Sequence, residues 1–531
     1  MRPWAPVTPD DRTTDARAEG GAKGAVERLE PEDEALGRRA ASGVLWLAAH
    51  KWVVRASGFV TLLVLTHQLS PREFGVVAAA MTVIPMVYLL SDLGFSTYLL
   101  QADDVDQESL STAFWTSVGA AAALTTCLVS LAPLFATAFQ NPELAPVLRV
   151  LVLAAVPTVL AGVPLALLRR RLAFRSVALQ SLAAALLGQV VAVVLALRGG
   201  GVWALVCQVI VTQSVMAVLA WRGAAWRPSF VLSRVRLRRM VVFGVWVTGY
   251  DVVATVRTVV ESWIVSVALG PSALGLLNVA QRLVLVAQEL VAASMVPVST
   301  TVFAKVRESS VRLRSAYLRA LGLVYAVVSP VMVVIVVTAP TLVPLLFGQQ
   351  WGASVGPTQA LAVAGIITLG AMLDHGLFYG LGRPGTWLAY SVAVDVVTVA
   401  TTAVAVHWGL TGVTVGFVAV ALLATIARWL LISRLHGWTV AESARPFLRI
   451  APVTVLSSLV GAATLAFLPG RPWAASLVAA AVTLVVYVCL LRLMASHVIR
   501  TALGVLPVPQ RYAARIGRLL GVGRVTATDP L

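Results

Sequence analysis

Apolar residues in this chain neither alternate with polar ones nor form the narrow stripes of a soluble amphipathic helix. They come in long runs. From Gly43 onward, fourteen runs are each long enough to cross about 30 Å of hydrocarbon as a helix. They cover 44–66, 74–100, 112–137, 147–168, 177–197, 202–221, 241–268, 275–303, 317–339, 357–379, 386–406, 411–432, 448–467 and 473–494. An outer-membrane barrel would show apolar and polar residues in alternation, which is absent. The pattern predicts an all-α polytopic membrane protein with about 14 transmembrane helices.

Composition removes the soluble alternatives. Of 531 residues, 59% are apolar and 12% charged, with a mean hydropathy of +0.86. A soluble domain carries about 25% charge to coat its surface. A cytosolic enzyme and a secreted scaffold are therefore excluded. The net charge of +17 belongs to topology, because no basic-aromatic module lies outside the spans, and no nucleic-acid partner is implied. Arg169–Arg171, Arg222–Arg239, Lys305–Arg314, Arg434–Arg449 and the tail from Arg500 all follow even-numbered spans. Basic loops stay inside. This predicts a plasma (inner) membrane protein with both termini cytoplasmic, and a basic tail lying on the anionic inner leaflet. Cys127, Cys207 and Cys489 lie within apolar runs without metal-ligand spacing. Neither a disulfide framework nor a metal or cofactor is expected.

The chain repeats itself. HQLSPREFGVV (67–77) and VALGPSALGLL (267–277) stand 200 residues apart, and RGGGVWALVCQVIV (198–211) matches HWGLTGVTVGFVAV (407–420) in pattern. Two parallel six-helix repeats plus two C-terminal helices are expected. The predicted organisation is a disordered charged tail (1–43), an N-lobe (44–221), a basic cytoplasmic linker (222–240), a C-lobe (241–435), two appended spans (436–494) and a basic tail (495–531).

An ionisable side chain at mid-bilayer costs about 2.5–3.5 kcal/mol on insertion scales, so each one within a span needs a reason. The first span carries Lys51 and Arg55 on one face. The seventh carries Tyr250, Asp251, Arg257 and Glu261, and the eighth Arg282 and Glu289. Tyr250, Arg257 and Glu261 fall within about 40° of one another at 100° per residue. One reading is helix–helix pairing, with Arg257 and Glu261 joined at i,i+4. The other is a net-cationic cavity between the lobes, with Lys51, Arg55, Tyr250, Arg257 and Arg282 binding substrate. Asp251, Glu261 and Glu289 are then candidate carboxylates for coupling to protons or Na⁺.

Other motifs carry no chemistry. GLGRPG (380–385) joins two spans, contains Pro384 and follows no strand, so it reads as a turn. There is no phosphate-loop lysine motif. The acidic stretch QADDVDQES (101–109) reads as a solvated loop preceding a helix.

The ordered series LTHQLSPREFGVVAAAMTV (65–83), LSDLGFSTYLLQ (90–101), GLLNVAQRL (275–283), LVPLLFGQQWGAS (342–354) and FYGLGRPGTWLAYS (378–391) resembles the polysaccharide-exporter branch of the multidrug/oligosaccharidyl-lipid/polysaccharide (MOP) flippase superfamily. The resemblance covers residues 42–435. It implies a V-shaped pair of six-helix bundles around a cavity that opens to each side in turn. The implied cargo is a lipid-diphosphate-linked oligosaccharide, moved among membrane lipids for a polysaccharide polymerase and glycosyltransferases that work beside the exporter. Lys51, Arg55, Arg257 and Arg282 match by location the cations that face the diphosphate in such flippases. The long charged N-terminal tail departs from the pattern, and the serine-asparagine-arginine pattern near the start of lipid II flippases is absent from span 1. No bond changes in flipping, so an enzyme is not expected. The rival expectations are a cation-coupled multidrug exporter, opposed by the cationic first span, and a polytopic glycosyltransferase or ligase, opposed by short outer loops.

Overall fold

The computed structural model describes residues 50–102, 105–306, 309–468 and 472–505. These residues form helices and turns, with no strand among them. The helices are α1 (50–68), α2 (Pro71–Asp92), α3 (Phe95–Gln101), α4 (Gln107–Ala138), α5 (Leu144–Leu151), α6 (Ala155–Arg170), α7 (Phe174–Leu197) and α8 (Val202–Ala224). After the linker come α9 (Arg234–Val306), α10 (Ser310–Phe347), α11 (Val355–Thr368), α12 (Ala371–Gly380), α13 (Pro384–Ala405), α14 (Gly409–His436), α15 (Val440–Phe467) and α16 (Pro472–Val505). Eleven stretches of the described residues are long and apolar enough to span a membrane. The expected runs fall on described helix except where turns interrupt them, and residues 44–49 of the first run lie outside the described residues. The expected N-terminal tail and the end of the basic C-terminal tail lie outside the described residues.

Local chemistry sets where helices begin. Ser70 accepts the Glu73 main-chain N–H at 3.3 Å, while the Ser70 N–H donates to Glu73 Oε2 at 2.8 Å. This reciprocal cap, with Pro71 at the first position, starts α2 immediately after α1. Thr439 and Glu442 repeat the device at α15. Asp106 caps α4 by accepting from the Ser109 N–H at 2.9 Å, and lies 2.8 Å from Arg236. The Ser109 bonds, with Arg236 adding, hold this carboxyl below the usual carboxylate range.

Several expected spans are broken, a feature hydropathy does not register. The run 74–100 becomes α2 and α3 around Leu93 (φ 43°) and Gly94 (φ 72°). The run 147–168 contains a 3₁₀ turn over Val152–Ala154, where the ring of Pro157 would clash with the carbonyl four residues back. The run 357–379 divides into α11 and α12. Conversely, the turn between the seventh and eighth runs shrinks to one residue. Gly270 (φ 83°, ψ 168°) breaks α9, and Pro271 opens its second half.

The two halves of the bundle meet along α2 and α9, on both sides of the break at Gly270. At one end a Cβ added to Gly75 would lie 1.7 Å from the Pro271 carbonyl oxygen, and one added to Gly275 would lie 2.0 Å from that of Pro71. At the other end a Cβ on Gly244 would lie 1.6 Å from the Leu93 carbonyl oxygen. Backbones touch because these residues lack side chains. The contact at 71–75 and 271–275 is reciprocal, as an approximate two-fold axis between the helices would produce. The last two spans pack onto α10, with Tyr487 donating to the Ala326 carbonyl at 3.2 Å.

Candidate functional site

The ionisable residues within the spans gather into three groups. In the first, Arg257 on α9 holds Glu261 one turn on (Nη1 to Oε2, 2.6 Å) and Asp395 on α13 (Nε to Oδ1, 3.0 Å). The i,i+4 pair is the one the spacing predicts. Asp395 is a third member that spacing could not supply. Arg257 is thus engaged on two sides by carboxylates. Two negative charges against one positive leave the group with a formal charge of −1. Glu261 Oε1 is buried without a hydrogen-bond partner among the described residues.

Glu261 also lines a small cavity of about 80 Å³, together with Thr82 of α2, Thr258, Ser262, Asn278 and Gln281 of α9, and Phe417 of α14. The Thr82 hydroxyl donates to the Ala79 carbonyl at 2.7 Å, and Thr258 to that of Ala254 at 2.9 Å. Both hydroxyl protons are spent on the main chain, so these oxygens offer lone pairs to the cavity. The remaining lining is mixed, with Asn278 and Gln281 amides beside the apolar Ala78, Val265, Leu274 and Leu277.

In the second group Arg55 of α1 meets Glu289 in the second half of α9. Nη2 lies 2.8 Å from Oε2, and Nη1 donates to the Glu289 main-chain carbonyl at 3.2 Å. Lys51, one turn before Arg55, is exposed. Arg282 lies seven residues before Glu289, hence on the same face of α9 about 10 Å away along the axis. It is exposed, and has no charged or hydrogen-bonding partner among the described residues. Asp251 is exposed, and its main-chain carbonyl accepts from Thr255 at 2.7 Å. Tyr250 lies on α9, and its side chain is outside what is described.

The third group was not assembled from sequence. Arg428 of α14 and Asp374 of α12 are 1% and 0% exposed, with Nε and Oδ2 2.7 Å apart. Tyr317 of α10 donates to Asp374 Oδ1 at 2.5 Å. The signal existed: Arg428 is the sole ionisable residue of the run 411–432, and such a residue must find a partner.

A bundle of this kind, with ion pairs inside its spans, has relatives. A family described as "Polysaccharide biosynthesis protein" matches residues 64–356, more than half of the chain. The chain belongs to this family. It is 29% identical over 294 residues to the succinoglycan biosynthesis transport protein ExoT of Rhizobium meliloti (strain 1021), covering 55% of this chain and 59% of that protein. It is 24% identical over 334 residues to the lipopolysaccharide biosynthesis protein WzxC of Escherichia coli (strain K12), covering 62% and 68%. The lipid II flippase MurJ in an inward closed conformation superposes with a TM-score of 0.71 at 12% identity, over 86% of this chain and 100% of that one. An inward-facing multidrug resistance MATE family transporter of the MOP superfamily gives 0.61 at 19%, over 72% and 94%. The resemblance carried by the motif series is thereby borne out, and the fold is that of the MOP transporters.

Proposed function

We propose that this polysaccharide-biosynthesis protein flips a lipid-diphosphate-linked oligosaccharide, the repeat unit of a polysaccharide, across the plasma membrane by alternating access. The observation that carries the reading is Arg282, an exposed arginine on the same face of α9 as Glu289 and without a counter-charge among the described residues. Sugars and phosphate cannot shed water into hydrocarbon, so the head group is the barrier to crossing. An enclosed polar path replaces that hydration while the lipid tail stays in the bilayer. A guanidinium suits phosphate because its planar fork donates in parallel. The same free cation disfavours a cationic drug as cargo. One relative is named as a succinoglycan biosynthesis transport protein and the other as a lipopolysaccharide biosynthesis protein, and the match spans 59% of the succinoglycan protein.

The basic loops and both termini are assigned to the cytoplasm by the positive-inside rule, and the chain is read as an N-lobe and a C-lobe joined by the linker 222–240. Coupling is assigned to the Arg257–Glu261–Asp395 group. Its net negative charge within the membrane calls for one proton or one Na⁺, and the Thr82 and Thr258 oxygens in the same cavity as Glu261 suit either.

The test is flipping of a fluorescent polyprenyl-diphosphate-linked oligosaccharide in liposomes. Arg282→Ala should lose a hydrogen bond to a charged group worth about 1.5–3 kcal/mol, hence about tenfold to a hundredfold in rate. Arg282→Lys should retain part of it, at equal protein abundance. In the same vesicles, an imposed proton or Na⁺ gradient should drive the wild type and fail to drive Glu261→Gln. An Arg282→Ala variant as fast as wild type would overturn the reading, and a Glu261→Gln variant still driven by the gradient would place coupling elsewhere.

A further inference from the structure

The ion pair between Arg55 and Glu289 joins residues 234 positions apart, one in each lobe. It sits at the same end of the bundle as the Leu93–Gly244 contact, which is the end that carries the basic loops. The opposite end is closed by the glycines at 75 and 275. Arg55 and Glu289 therefore bridge the seam at the mouth through which a lipid-linked cargo from the basic side would enter. Their side chains are 25% and 38% exposed, so a solute in the mouth can reach them. Lys51 stands one turn outward on α1 and Arg282 two turns inward on α9. Three cations thus follow one another inward, and Glu289 is the counter-ion of the middle one.

We propose that Glu289 is a selectivity latch: it holds the mouth shut through Arg55 until an anionic phosphate head group takes the guanidinium in its place. The proposal rests on the flippase reading above. Glu289 engages Arg55 through one carboxylate oxygen and one main-chain carbonyl. A diphosphate offers more oxygens and more charge to the same planar fork, which favours the exchange. Once displaced, the Glu289 carboxylate faces the incoming anion. The interaction across the seam turns from attraction to repulsion, and the lobes part. A lipid with an uncharged head group cannot make this exchange, so the latch sets which lipids open the mouth. Glu289, expected from sequence as a coupling carboxylate, is assigned this task instead.

The reporter is Thr248→Cys, at a buried position beside Gly94 on the same seam, in protein lacking its three native cysteines. The protein is placed in phosphatidylcholine vesicles and the rate of maleimide labelling is measured. Without Glu289 substitution, labelling should be slow, should rise about tenfold with added polyprenyl diphosphate, and should not respond to uncharged polyprenol. Glu289→Gln should label fast without any addition. Arg55→Gln removes the other half of the pair and should do the same, which covers failure of either variant to fold. Slow labelling in both variants, or equal responses to polyprenyl diphosphate and polyprenol, would overturn the latch. Transport with no response of the reporter would sink the latch and keep the flippase. A responding reporter without transport would do the reverse.

Discussion

Alanine at Gly75 or at Gly275 should cut export at least tenfold while the protein remains in the membrane at normal abundance. The added Cβ at 75 would sit 1.7 Å from the Pro271 carbonyl oxygen and 2.5 Å from its carbon. At 275 it would sit 2.0 Å from the Pro71 oxygen and 2.9 Å from the Gly75 nitrogen. These obstacles are backbone and cannot rotate away. Relief requires α2 and α9 to part by about an ångström or more, and overpacking of even flexible cores costs about 1–3 kcal/mol. The residues lie on the seam between lobes, so the clash falls on the contact between α2 and α9. What is lost is the closed seam, and with it the alternation of access. Gly119→Ala is the control, since nothing lies within 4 Å of its would-be Cβ. There the exchange removes the helix penalty of glycine, about 1 kcal/mol. Surface polysaccharide and membrane abundance are the measurements. Full export by Gly75→Ala would mean that α2 and α9 need not approach this closely during transport.

The long apolar runs were legible because hydrocarbon imposes a length and a composition on every span. Helix breaks were not, because Leu93, Pro157 and Gly370 change the path of the chain without changing its hydropathy. The similarity of 67–77 and 267–277 could be read, but not that these segments touch. Contact between residues 200 apart leaves no mark on either segment. The charged groups divide the same way. Arg257 and Glu261 pair at a spacing the helix dictates. Asp395, and the joining of Arg55 to Glu289, depend on how helices pack. A cationic cavity built from Lys51, Arg55, Arg257 and Arg282 was one of two expectations, the other being that Arg257 only pairs with Glu261. Two of them meet carboxylates, which moves the weight of anion recognition to Arg282.

Breaking the Asp374–Arg428 pair should deplete the protein from the membrane. Both side chains are fully enclosed, and each is the other's neutralising charge. Removing one partner of such a pair costs about 3–5 kcal/mol, because the survivor stays buried and uncompensated. Set against a typical stability of about 5–15 kcal/mol, that is a fifth of the total or more. Arg428→Met and Asp374→Leu should therefore each reduce abundance severalfold. Tyr317→Phe removes one hydrogen bond to Asp374 and should cost less. Gly370→Ala should fall between, since its Cβ would stand 2.6 Å from Arg428 Nη2 and force the guanidinium from its place. The double variant Asp374→Leu, Arg428→Met decides what the pair is for. Apolar replacement of both members of a buried pair is often neutral or stabilising. If the pair only staples α12 to α14, the double variant should recover both abundance and export. Recovery of abundance without export would give the pair a part in the transport cycle, and loss of both would mean that Tyr317 and Gly370 admit no other packing at this site.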